Sequence, residues 1–291
     1  VSKLGRDNFF KLLEGKKTIV KGEIWISKDI TSFFGYPLSP ASVIEVCLKL
    51  NLDLCFFSWN SEWGKVTSCE MNELVRKAKE NNLACGIVID GVFERSLTEN
   101  DFVETLTLLA SKDNQNLQAK WKEINSQVLK ETEEAYLAGA DLVLLADDLA
   151  FNGGLYFSPD LFQANILPFY REFKKIFPSD FPLAFHSDGK IEKIMPLLAE
   201  NGFKIFSVEP DVIDFANLRH ILPKNSILFT GIKSSWLTGD FKDEEIMCFW
   251  QHLFNDWPLI LGSSCGLFRK EILNNFFKIQ KIASKIFYIE R

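Results

Sequence analysis

Eight apolar, strand-like runs, each followed by a stretch of helical periodicity, constrain this chain more than any other feature. The runs cover residues 22–26, 52–59, 84–89, 141–147, 183–186, 205–209, 226–230 and 259–263. Side chains alternate between the two faces of a strand, so a strand with one wet face alternates apolar and polar; continuous apolar runs are strands covered on both faces. Between them, apolar positions recur at helical spacing over 42–50, 71–81, 159–176, 191–200, 243–254 and 270–287. Repeated strand–helix units build a parallel sheet, and eight units in 291 residues close it into a single (β/α)8 TIM barrel of class α/β. A short N-terminal helix is expected ahead of it over 7–15. The longest interval, 90–140, holds two more helical stretches, 99–110 and 116–137. Pro168 and Pro196 fall inside helical patterns and should kink or split them. No Pro/Gly-rich linker or internal repeat divides the sequence, so residues 1–291 read as one domain.

In such barrels the chemistry sits where the strands end, because the loops that follow them gather on a rigid rim. The strand ends supply a polar set: Ser27, Lys28 and Asp29 after the first, Asp90 after the third, Asp147 and Asp148 after the fourth. His186 and Asp188 follow the fifth, Glu209 the sixth, Gly231 the seventh, and Ser264 and Cys265 the eighth. His186 and Asp188 are two residues apart and face the same way, while Ser187 between them faces opposite. Imidazole, carboxylate and thiolate are zinc ligands, and a catalytic zinc takes three protein ligands with one position open. His186, Asp188 and Cys265 would supply one of each kind, meeting across the mouth, with Glu209 as substitute or fourth ligand. Cys265 reads equally well as a small residue in a tight turn between Gly262 and Gly266. Of the adjacent Asp147 and Asp148, only one can enter the mouth; the other caps or pairs with a neighbour. Ser158-Pro159 opens a helix, with the serine as cap and the proline in the first turn.

Composition narrows the class. A formal charge of −6 with interspersed lysines offers no basic face to a phosphate backbone, so nucleic acid is not an expected partner. No apolar run reaches the ~20 residues that span a bilayer, and the Val1-Ser2-Lys3 start carries no signal-peptide pattern. Cys47, Cys55, Cys69, Cys85, Cys248 and Cys265 are scattered without paired spacing, which fits a cytoplasmic protein with reduced thiols.

Several motifs, taken in order, resemble one family. Gly139-Ala140-Asp141 enters a strand that ends in Asp147. Ser158-Pro159-Asp160-Leu161-Phe162 and Leu167-Pro168-Phe169-Tyr170 follow, then His186-Ser187-Asp188-Gly189, Asn201-Gly202-Phe203, Ser207-Val208-Glu209, Gly231 and Ser263-Ser264-Cys265-Gly266. The chain from about Leu137 onward is similar to the uroporphyrinogen decarboxylase-like barrels, which include the zinc- and corrinoid-dependent methyltransferases. The resemblance implies methyl transfer between a small-molecule donor or acceptor and the cobalt of a corrinoid carried by a partner protein. Zinc would serve as Lewis acid or nucleophile activator, with Asp147 or Glu209 positioning the substrate or handling a proton. The methyltransferase branch has cysteine where this chain has Asp188, and a carboxylate is the harder ligand, which favours a methyl donor bonded through oxygen or nitrogen. The loop 27–42 contains no arginine to clamp an acid-rich porphyrinogen, which argues against porphyrinogen decarboxylation. The alternatives are a metal-free decarboxylase or lyase using Asp147 and Lys28, a non-catalytic tetrapyrrole-binding barrel, and a barrel whose rim residues are structural only.

Overall fold

A computed structural model describes residues 5–97, 101–111, 114–263 and 265–287. Eight strands form one sheet: β1 Ile19–Lys21, β2 Leu54–Ser58, β3 Ala84–Asp90, β4 Leu142–Ala146, β5 Leu183–His186, β6 Phe203–Ser207, β7 Ile227–Ile232 and β8 Leu259–Ser263. Their spatial order is β1-β8-β7-β6-β5-β4-β3-β2, with every pair parallel. A parallel bridge from Gly22 to Leu54 joins the two end strands and closes the barrel. Helices alternate with the strands, giving the α/β TIM-barrel fold expected from the sequence. Among the described residues no helix is long and apolar enough to cross a membrane. All six cysteines are free, and Cys47, Cys55 and Cys85 are buried.

Two apolar clusters divide at the sheet. Val20, Leu54, Phe56, Leu144, Ile205, Phe229 and Ile260 fill the barrel interior, and Phe9 and Leu12 of the helix Gly5–Leu13 plug its lower end. The opposite strand faces pack outward against the helices in the larger cluster. Arg6 fixes the plug, donating from Nε and Nη2 to the carboxylate of Asp141 at the start of β4. This is the two-layer burial that continuous apolar strands require.

Boundaries moved where local chemistry overrides the apolar pattern. The first strand is Ile19–Lys21 rather than 22–26: Gly22 is pressed against Gly262, where an added Cβ would lie 2.0 Å from the Gly22 carbonyl oxygen, and the chain bends beyond it. The sixth strand stops at Ser207, so Glu209 sits in the following loop. Pro168 does split its helix, into Pro159–Asn165 and Leu167–Phe173, and Ser158 caps the first by accepting from the Leu161 amide. Pro196 instead starts a helix, Met195–Glu200, because a proline in the first turn needs no amide partner. The helix read over 99–110 is described from Phe102, and its expected start at Glu99, like the rim residue Ser264, lies outside the described residues.

Interior packing depends on one missing side chain. Phe56 stacks on Phe229 across the barrel at 5.8 Å, and a Cβ on Gly86 would lie 2.3 Å from the Phe56 ring. Gly86→Ala is therefore expected to destabilise the fold by about 1–3 kcal/mol, the usual cost of an extra methyl in a filled core. Urea unfolding of the variant and wild type checks it; an unchanged midpoint contradicts this packing account.

Candidate functional site

The register of the sheet assembles the mouth. Asp90 pairs with Ala146, Ala146 with His186, and His186 with Ser207, so four consecutive strands present these residues in one row. Partners in a parallel ladder point to the same side, and Ala146 packs against the interior cluster. Asp90, His186 and Ser207 thus face inward. Two residues further along each chain, the same alternation brings Asp148, Asp188 and Glu209 above that row.

His186 is buried, and its Nδ1 lies 3.0 Å from the Ser207 hydroxyl, leaving Nε2 directed toward Asp188 Oδ1 at 3.6 Å. Burial lowers the imidazole pKa, against the raising influence of Asp148 and Glu209, and so favours the neutral ring. Asp148 Oδ1 accepts the Asp188 amide at 2.9 Å, and Glu209 Oε2 accepts the Gly189 amide at 2.8 Å. These bonds hold the His186-Ser187-Asp188-Gly189 turn from both neighbouring strands. Gly189, at φ +77°, has the hairpin backbone of Ala150 and Phe151 where a Cβ would be, 2.6 Å away, so only glycine lets the turn sit this low. Ser187 faces outward and accepts the Leu149 amide, tying the loop after β4 to the turn.

Donor atoms of Asp148, His186 and Asp188 all lie within 4.8 Å of one another, close enough to share one metal ion. Asp188 Oδ1 is covered and makes no hydrogen bond, although the side chain as a whole is about half-exposed. Burial, then the charges of Asp148 and Glu209, push the Asp188 carboxyl up to about 7. Glu94 stands nearby, and its pKa is raised by burial and by Asp148 and Asp90. Asp90 is raised chiefly by burial, with Arg95 opposing. The mouth is therefore crowded with carboxylates and suited to a cation.

Two residues expected here lie elsewhere. Asp147 is fully buried and faces the helix layer: its oxygens accept the amides of Phe93 at 3.2 Å and Glu94 at 2.6 Å and the hydroxyl of Tyr170. Gly91 makes room for it, since a Cβ there would fall 2.2 Å from Asp147 Oδ2. Burial pushes this carboxyl up to about 7 despite those donors. Strand alternation gives the mouth Asp148 in place of Asp147. Cys265 does not join the three donors; its Sγ lies 3.4 Å from the Ser234 hydroxyl, and burial raises the thiol pKa. Lys28, the other member of the metal-free alternative, holds its ammonium over Trp63 at 5.7 Å.

Two participants were missed by the sequence reading. Ser207 orients His186, and it could have been found by counting two residues back from Glu209 along the strand. Glu23 had no such signal, because its role depends on the bend after β1. It is fully buried and accepts the Ser263 amide at 3.2 Å and the Ser263 hydroxyl at 2.5 Å. Burial drives its pKa up to about 8, the serine bonds opposing.

Residues 97–268 match the family described as Uroporphyrinogen decarboxylase (URO-D). A search of curated proteins gives no match. Among solved structures, a methyltransferase from Methanosarcina mazei is similar with a TM-score of 0.73 at 14% identity, covering 96% of this chain and 98% of that one. A GH18 chitinase from Pseudoalteromonas aurantia matches at a TM-score of 0.54 and 12% identity, over 91% and 99% of the two chains. At these identities the likeness is one of fold.

The burial of Glu23 carries a pH signature. Its pKa is higher in the folded chain, about 8, than the ordinary 4.5, so the folded state holds the proton more tightly. The resulting stability is complete below about pH 4.5 and is lost as pH rises through about 8. Glu23→Gln, which keeps an acceptor for Ser263, is expected to lose less stability than wild type between about pH 5 and about pH 9. Urea midpoints across that range test it, and parallel curves for the two proteins contradict it.

Proposed function

Because the chain belongs to the uroporphyrinogen decarboxylase (URO-D) family, we propose that it is a metal-dependent methyltransferase, moving a methyl group between a small substrate and a corrinoid carried by a partner protein. The observation that carries this reading is the trio Asp148, His186 and Asp188, with its buried and unbonded Asp188 Oδ1. A covered carboxylate oxygen without a donor is costly, and the neighbouring charges of Asp148 and Glu209 add to that cost; a divalent cation removes both penalties. One imidazole and two carboxylates suit zinc, and they suit harder divalent ions better than a thiolate-rich set would. When bound, the ion supplies Lewis acidity at the barrel mouth.

The chain's own groups do the rest. With His186 protonated at Nδ1, the Ser207 hydroxyl accepts that N–H and the Nε2 lone pair would be left for a metal, the usual way a neighbour fixes a ligand's tautomer. The Asp188 amide holds Asp148 in place. Glu209, anchored by the Gly189 amide, is the group assigned to position the substrate or accept a proton. Asp147 supports the site from behind by holding the start of the helix Val92–Leu97 beside Asp148. Porphyrinogen decarboxylation is disfavoured, since an acid-rich substrate would meet Asp90, Glu94, Asp148, Asp188 and Glu209 with no arginine in loop 27–42 to offset them. The fold likeness to the M. mazei methyltransferase supports the same reading.

Metal titration with zinc or cobalt(II), followed by dialysis and elemental analysis, tests the centre. About one ion per chain is expected, with His186→Ala and Asp148→Asn each losing most of the affinity. Ser207→Ala should weaken binding about 10–100-fold, whereas Cys265→Ser should leave it unchanged. Demethylation of methylcobalamin provides the activity readout. A chain that holds no stoichiometric metal, and whose activity survives His186→Ala, sinks the proposal.

A further inference from the structure

Beside the metal donors, on the β1–β3 side of the same mouth, lies a cavity of about 160 Å³. Its walls are mostly aromatic and aliphatic, with rings from Trp25, Phe56, Phe57 and Trp63 and a polar edge of Ser58, Asn60 and Ser61. Asp90 is the single charged residue lining it. Asp90 stands in the same row as His186, two strands away, which is roughly 10 Å at the usual strand spacing. Resting on the metal-dependent reading above, we infer that this cavity binds the alkylated ammonium head of the substrate, with an oxygen-bearing tail directed to Asp148, His186 and Asp188.

The argument is one of complementarity. An aromatic wall attracts a cation through the negative face of each ring, and does so best when the cation is poorly hydrated, as methylated ammonium is. A neutral apolar ligand would leave the half-buried Asp90 carboxylate with only the charge of Arg95 to offset its burial, and an anionic one would face it directly. Asp90 makes no side-chain hydrogen bond among the described residues; only its backbone carbonyl is engaged, by Arg95 Nε at 2.9 Å. The Arg95 guanidinium pairs with Glu131 and acts on the Asp90 carboxylate through its charge alone. One ring of the cavity already receives a cation, since the Lys28 ammonium sits over Trp63 at 5.7 Å. For Trp25, Phe56 and Phe57 no cation of the chain fills that role among the described residues. Two neighbouring carboxylates of the mouth, Glu94 and Asp148, raise the local preference for positive charge. Lys28 acts in the other direction, and its removal should strengthen the binding of an ammonium head.

The test compares choline with 3,3-dimethylbutan-1-ol, which has the same shape with carbon in place of the charged nitrogen. Both are titrated by calorimetry into the full chain, with and without zinc. Choline should bind about tenfold more tightly than the alcohol. Asp90→Asn and Trp25→Leu should each lower choline affinity severalfold without weakening the alcohol in the first case, while Lys28→Met should raise it. Equal affinity for the two ligands, or no saturable binding of choline, overturns the inference; this comparison needs only wild-type protein, so variants that fail to fold do not obscure it. Binding of choline in the His186→Ala chain separates the two readings. Selectivity retained without metal binding leaves the cavity assignment standing and removes the metal centre, and metal binding without selectivity does the reverse.

Discussion

The parallel register of β3 to β6 is the constraint on which the site depends. Each strand supplies a single inward position at the level of His186, and hydrogen bonding between strands fixes which residue takes it: Asp90, Ala146, His186, Ser207. A slip of one residue in any strand would exchange the inner and outer faces. In β4 that slip would bring Asp147 into the mouth and send Asp148 to the helix layer. The chain resists this because both aspartates have distinct partners: two backbone amides and a tyrosine hydroxyl for Asp147, the Asp188 amide for Asp148. The geometry of the mouth and the packing of the core are thus specified by the same ladder.

Electrostatics gives the mouth its character. Carboxyls of Asp90, Glu94 and Asp188 all lie above their ordinary pKa range, for the shared reason that burial disfavours their charged forms and neighbours of like sign add to it. Carboxylates that hold the fold differ in their donors rather than in the direction of the shift, since Asp147 is raised by burial as well. Asp141 receives the Arg6 guanidinium and the Cys85 amide, and Asp147 receives three donors. Among the described residues the mouth carboxylates accept few hydrogen bonds, and Arg95 offsets only part of the burial of Asp90, an arrangement that favours cationic occupants over acidic ones. The proposed metal centre and the proposed ammonium cavity both rest on this same imbalance of charge.

Backbone economy at the turn after β5 links fold to site. Gly189 lets the turn pass under the hairpin formed by Ala150–Phe151 and Gly154–Leu155, Ser187 ties it to the loop after β4, and the Gly189 amide holds Glu209. Four adjacent residues therefore divide into two that present donors and two that hold them. A rigid support of this kind is what a metal ligand needs to keep its orientation.

What the sequence determined by itself was the barrel and the strand ends on which its polar residues gather. Eight continuous apolar runs between helical stretches admit few architectures, and strand alternation alone put His186 and Asp188 on one face, because period two is a local property of the backbone. It also identified Ser158 as a helix cap and Pro168 as a break, since capping and ring sterics act over a few residues. What only the tertiary structure decided was which distant residues meet. Asp148 rather than Asp147 enters the mouth because the register of β4 against its neighbours turns Ala146 inward. Cys265 meets Ser234, 31 residues away in the chain, and Glu23 turns to Ser263 where Gly22 and Gly262 touch. Those outcomes depend on the bend, register and close approach of segments far apart in the chain, and no local pattern of residues encodes them.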